Sequence, residues 1–131
     1  MKEFTQRVEA ALNGAQSLAL SLQHPELKPL HVLAAFVDIS ESLVAEVAAE
    51  QGNLSELRKQ VKAALDDLPR LGKSAQELRM SNELAHVLEV AQQHCENAGD
   101  HYVPEEWVLL ALSEEPRLRQ LLKPLGLSPE L

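Results

Sequence analysis

Three groups of side chains in this sequence have the types needed for chemistry. His94, Cys95 and His101 place two imidazoles and a thiol close together, the donor set of a zinc or copper site. His94 and Cys95, however, are successive residues in a segment of helical period, so their side chains diverge by about 100°. No Cys/His spacing in the chain matches a closed zinc site. The acidic pairs Asp66/Asp67 and Glu105/Glu106 would have to face one cleft to act as acid and base. Adjacent on a helix, they diverge too and read as solvated surface. No serine sits in a G-x-S-x-G elbow with a base and an orienting acid around it. No G-x-x-x-x-G-K-[ST] loop is present to cradle nucleotide phosphates. These residues predict a chain that is not an enzyme, with no catalytic residue, no metal and no cofactor.

What the sequence does specify is helices. Val8, Leu12, Ala15, Ala19 and Leu22 recur at helical steps, and Thr5 stands where its hydroxyl would cap the first turn. HPELKP breaks that helix, and Pro29 opens a short apolar one, LHVLAAFV. A third helix is expected from about Ser42 to Gln51, stopped by Gly52. Asn53 and Glu56 then read as the cap and third-position acid of a fourth, carrying Leu57, Val61 and Leu65. Residues 68–80 have no period and read as a linker. The pattern then restarts: Ser81 as cap, Leu84, Leu88, Ala91, Cys95 and Ala98 on one face, and Gly99 as stop. Pro104 opens a second apolar helix, EEWVLLAL, and Pro116 another, which Pro124 shortens or kinks.

Laying each residue on the one 76 positions later exposes a repeat. Between 5–36 and 81–112 six positions are identical and seven more exchange one apolar residue for another. Cys95 falls on Ala19 and so reads as core. His31 falls on Trp107, and both are expected at the edge of the core. The sequence predicts an all-α fold of two pseudo-symmetric four-helix units packed as one domain, 1–131. Repeat one spans about 5–67 and repeat two about 81–131. The fourth helix of the second unit would begin at SPEL.

Composition narrows the function. The chain is 45% hydrophobic but 3% aromatic, so its core is aliphatic. A net charge of −8 repels a phosphate backbone, and no basic stripe offers an exception, so no nucleic acid is expected. One cysteine allows no intrachain disulfide, which suits a reducing compartment. No apolar run reaches the length of a membrane span, and the first residues lack a signal peptide's apolar core. A cytoplasmic location with no membrane partner is expected.

Four segments carry a family resemblance: FTQRVEAAL…AQSLA, KPLHVLAAF, AALDDLPRLG and AGDHYVPEEWVLLAL. Together they resemble the double Clp repeat N-terminal domain of the Clp-type AAA+ unfoldases, and most of all the ClpB-type disaggregases. The resemblance implies a substrate- and adaptor-binding domain on an ATP-driven hexameric ring, one that captures unfolded or aggregated polypeptides under stress. It also implies client-handling roles for Thr5, Asp100 and Glu106. Bland structural roles stand beside these: an N-cap, a turn residue and a first-turn carboxylate. Relatives that bind phosphoarginine use an acid in each repeat, whereas here Leu30 stands opposite Glu106, so symmetric binding of that kind is not expected. The alternative reading is a stand-alone Clp-repeat protein, or an adaptor-docking domain of a protease unfoldase that binds a folded regulator.

Overall fold

A computed structural model describes residues 2–70 and 78–126. Its helices are α1 (Gln6–Ser21), α2 (Pro29–Asp38), α3 (Leu43–Glu50), α4 (Leu54–Asp66), α5 (Asn82–Ala98), α6 (Glu105–Ser113) and α7 (Pro116–Leu122). Two short strands accompany them, β1 (Glu26–Leu27) and β2 (Arg79–Met80), and a 3-10 turn, Lys123–Leu125, closes the described part. The fold is all-α, as the periodicity requires. No helix among the described residues is long and apolar enough to cross a membrane.

The repeat is visible in the backbone. Thr5 Oγ1 accepts the Val8 N–H at 3.4 Å, and Ser81 Oγ accepts the Leu84 N–H at 3.1 Å, so both long helices start on the same cap. Both end alike. Gly99, at φ 76°, reverses the chain so that its N–H reaches Glu96 O and the Asp100 N–H reaches Cys95 O, a Schellman closure. In the first unit Gln23 makes the same closure at φ 59°, with its N–H on Leu20 O and the His24 N–H on Ala19 O. A β-carbon in that left-handed region is strained.

The units also exchange their leading residues. Phe4, ahead of α1, pairs in parallel with Val103 in the α5–α6 loop, and the Thr5 N–H donates to Val103 O at 3.1 Å. Met80, ahead of α5, pairs in parallel with Leu27 in the α1–α2 loop, and the Ser81 N–H donates to Leu27 O at 3.0 Å. The two bridges are related by the same 76-residue offset. The expected linker thus ends in a strand, β2, and its residue Leu68 is buried; positions 71–77 lie outside the described residues.

The buried stripe of α1 is Val8, Ala11, Ala15 and Ala19, and that of α5 is Leu84, Val87, Ala91 and Cys95. Three of the five expected positions on each helix are buried, but Ala11 and Val87 take the places expected for Leu12 and Leu88: Leu12, Leu22 and Leu88 are half-buried and Ala98 is exposed. The cause on α1 is size. Three alanines let it approach α2 closely, which moves the leucines to the flanks of the contact. Cys95 is fully buried on this stripe, as expected from Ala19. Helix α2 is buried from Pro29 to Val37, packed by α1, α3, α4, α5 and α6.

Two other expectations are corrected. Asn53 stands at the N-cap of α4, but its side chain makes no capping hydrogen bond. Its N–H closes α3 on Ala48 O at 2.7 Å after Gly52 turns left-handed, and its side chain donates to Gln51 Oε1 at 3.3 Å. His31 is not at the edge of the core but wholly inside it, whereas Trp107 is half-buried. Pro124 does end α7, leaving a 3-10 turn. The helix expected from SPEL lies outside the described residues; within them the second unit shows three helices and the turn.

Candidate functional site

Thr5 adjoins the Phe4–Val103 bridge, Asp100 lies in the loop that carries Val103, and Glu106 follows in the first turn of α6. The bridge fixes Thr5 against the loop that runs from Asp100 to α6. The Schellman closure aims Asp100 back over that loop, where its Oδ2 accepts the Trp107 indole N–H at 2.6 Å. The Asp100 carbonyl accepts the Lys2 ammonium, and the Cys95 thiol reaches the same oxygen at 3.5 Å. The Trp107 ring lies tilted on His94, centroids 5.9 Å apart. Glu106 is exposed in the first turn of α6 and makes no hydrogen bond or ion pair among the described residues. No hydrogen bond joins the three side chains to one another there. Thr5 is the N-cap, Asp100 holds Trp107, and Glu106 is an exposed carboxylate with no partner among the described residues.

The matching place in the first unit is built from different chemistry. Positions 24, 30 and 31, which correspond to Asp100, Glu106 and Trp107, hold His24, Leu30 and His31. The spacing of seven is kept, and so is the contact: His24 Nδ1 lies 2.8 Å from His31 Nε2. The Lys28 N–H donates to His31 Nδ1 at 2.9 Å, so the His31 proton resides on Nε2 and is donated to His24 Nδ1. His24 then carries its own proton on Nε2, a buried atom with no partner among the described residues. Burial, then the neighbouring His24, lowers the His31 pKa to about 4. Burial, then Arg70, lowers that of His24 against the opposing pull of Asp66. Both rings are neutral at pH 7.

Beside this pair lies an open groove of about 500 Å³ between the units. Its floor is apolar: Pro29, Leu30, Leu68 and Leu118 are buried, and Ala64 and Leu121 are half-buried. Lys28, Glu83 and Arg117 stand on its rim with Gln60 and Gln120. Thr5, Asp100 and Glu106 do not line it. The sequence signal was the exchange of Glu106 for Leu30, which turns an acidic position into an apolar one.

Glu105 corrects the reading of Glu105/Glu106 as solvated surface. It is 7% exposed. Its Oε2 accepts the Leu43 N–H at 2.6 Å, at the start of α3 in the other unit, and Oε1 lies 3.6 Å from the Arg7 guanidinium. The free N–H groups of α3 favour the carboxylate there. Burial pushes its pKa up, against the pull of the Leu43 N–H and Arg7. We expect Glu105→Ala to cost about 1–2 kcal/mol by orphaning the Leu43 N–H. Glu105→Gln, whose amide oxygen still accepts, should cost less than half as much. Urea denaturation of both variants checks the order; equal losses would mean the carbonyl-type acceptor does not matter.

The sequence matches the family model described as Clp repeat (R) N-terminal domain over residues 3–125. The chain belongs to that family. It is 33% identical over 128 residues to the chaperone protein ClpB of Dichelobacter nodosus, and the match covers 96% of this chain and 15% of that protein. It is 31% identical over 126 residues to ClpB of Pseudomonas putida, covering 95% of this chain and again 15% of the relative. This Clp repeat chain therefore spans a small part of the relatives it matches. Among solved structures, the Hsp104 N-terminal domain from Candida albicans aligns with a TM-score of 0.85 and 26% identity over 97% of this chain and 84% of that one. A ClpV N-domain in complex with a VipB peptide shares the fold at a TM-score of 0.74 and 21% identity, over 98% of this chain and 81% of that one. The chain is thus a non-catalytic Clp repeat domain of the kind carried by Clp-type ATPases.

Proposed function

We propose that this Clp repeat domain captures unfolded or aggregated polypeptide, or an adaptor, for the ATP-driven hexameric ring of a ClpB-like disaggregase in the cytoplasm. The groove of about 500 Å³ between the units carries the reading. It offers an apolar floor beneath a polar rim, so the floor takes exposed aliphatic side chains. Burial at about 25 cal/mol per Å² gives such contacts modest affinity, which suits a domain that must release its client. Micromolar or weaker binding is expected. The VipB peptide bound to a ClpV N-domain of the same fold supports a peptide-binding role.

Thr5, Asp100 and Glu106 serve the opposite end of the pseudo-dyad in this reading. Glu106 offers a carboxylate to basic client groups, while Thr5 and Asp100 hold the loop and Trp107 in place.

The test is fluorescence anisotropy with a labelled, reduced and carboxymethylated protein that cannot fold. Leu121→Glu puts a charge on the groove floor and should weaken binding at least about tenfold. Leu43→Glu, at an exposed position away from the groove, should leave it unchanged. Retention of a folded regulator but no unfolded client would favour adaptor docking. Equal binding by both variants would remove the groove from the function.

A further inference from the structure

The charges around the groove are not balanced alike, and this bears on what the groove prefers. Lys28 Nζ is shared between Glu26 at 3.8 Å and Glu83 at 3.9 Å. Glu115 turns inward as the N-cap of α7, its Oε2 accepting the Leu118 N–H at 3.2 Å, where the helix dipole favours it. Arg117 lies on the rim in the first turn of α7, exposed, with no hydrogen bond or ion pair among the described residues. A cation in the first turn also meets the positive end of that helix, so it gains nothing from its own element. On a chain of net charge −8, a guanidinium beside an aliphatic floor, with no ion pair among the described residues, is a local exception to the surface around it.

We propose that the groove takes segments of a partner polypeptide in which aliphatic residues are accompanied by a carboxylate, the aliphatic side chains seated on Leu30, Leu118 and Leu121 and the carboxylate paired with Arg117. The proposal rests on the reading of the groove as the client site. The guanidinium offers a planar fork that matches a carboxylate. Long-range repulsion from the acidic surface works against an acidic segment, so the preference has to come from the short-range pair and from a groove that partly shields it. The second unit is arranged with the opposite sign: Glu106 occupies the position of Leu30. The two ends of the domain would then sort client segments by charge.

The test uses three labelled peptides of equal length with the same leucine and valine core and flanks of glutamate, glutamine or lysine, titrated into the whole chain at low and physiological salt. The glutamate peptide should bind most tightly. Arg117→Gln should weaken it by about three- to fivefold and leave the glutamine peptide unchanged. Arg117→Glu should invert the preference between the glutamate and lysine peptides. The glutamate preference should shrink as salt rises. Leu121→Glu separates the two levels. If it abolishes binding of all three peptides while Arg117→Glu alters no preference, the charge proposal is wrong and the groove stands. If Leu121→Glu leaves all three bound, the groove itself fails. Sedimentation of the chain alone provides the remaining arm: self-association lost in Arg117→Glu would make a second copy the occupant and overturn the proposal.

Discussion

Taking the chain from pH 7 to pH 4 is expected to cost it about 3 kcal/mol of folding stability through His31 alone. The unfolded imidazole takes up its proton near 6.5, whereas the folded one does so at about 4. Between those values the unfolded state binds more protons, so stability falls as pH falls. By pH 5 the loss should already be about 2 kcal/mol. It is complete only below the folded value. The charges facing the ring agree with this sign. His24 accepts the proton on His31 Nε2, Lys28 adds its positive charge, and Arg70 acts on His24. Asp66 pulls the other way, through His24. Protonating Nδ1 of His31 would set two N–H groups head to head.

Glu105 moves oppositely. Its pKa is raised, so the folded state gains relative stability as pH falls through the raised value, and this offsets part of the histidine loss at the acid end. Urea denaturation from pH 7.5 to 4.5 should therefore show a slope that begins near 6.5, above the carboxylate range. His31→Gln, whose amide oxygen can take the Lys28 N–H, should be less stable at pH 7 and keep only the shallower slope that His24 contributes. The same slope in both proteins would assign the acid sensitivity to some other group.

How much of this was legible in the sequence depends on the reach of each interaction. Caps and stops lie within four residues of their partners, so Thr5, Ser81, Gly52 and Gly99 were all readable. Asn53 failed because the end of α3 claims its backbone before α4 can use its side chain. The repeat offset placed Cys95 in the core through Ala19, but periodicity chose Leu12 and Leu88 over Ala11 and Val87. Helical steps alone do not say how closely the next helix approaches. Glu105 was unreadable, because its partner Leu43 is 62 residues away. The His24–His31 pair left a usable signal. The same spacing of seven separates Asp100 from Trp107, and position 24 falls on position 100 in the repeat. The groove left none beyond Leu30, since α2, α4, α5, α7 and Leu68 must meet to form it.

Phe36→Ala should cost about 3–5 kcal/mol, the usual penalty for emptying a fully buried phenylalanine site. That is a large share of the 5–15 kcal/mol typical of a whole domain. The more informative outcome is where the loss appears. Phe36 lies in the first unit, and the chain's one tryptophan, Trp107, lies in the second. If the units were separate domains, the substitution would shift the loss of helix in part and leave the Trp107 fluorescence midpoint in place. The structure argues otherwise. Helix α2 packs on α5 and α6, α3 on α6, and α4 on α7, and the two parallel bridges tie each unit's entry to the other's loop. Glu105 spans the same boundary. We expect fluorescence and circular dichroism to report one transition in urea, displaced equally by Phe36→Ala and by the matching Leu112→Ala. A Trp107 midpoint that ignores Phe36→Ala would divide the chain into two folding units. It would leave the groove between them as a hinge rather than a fixed receptor surface.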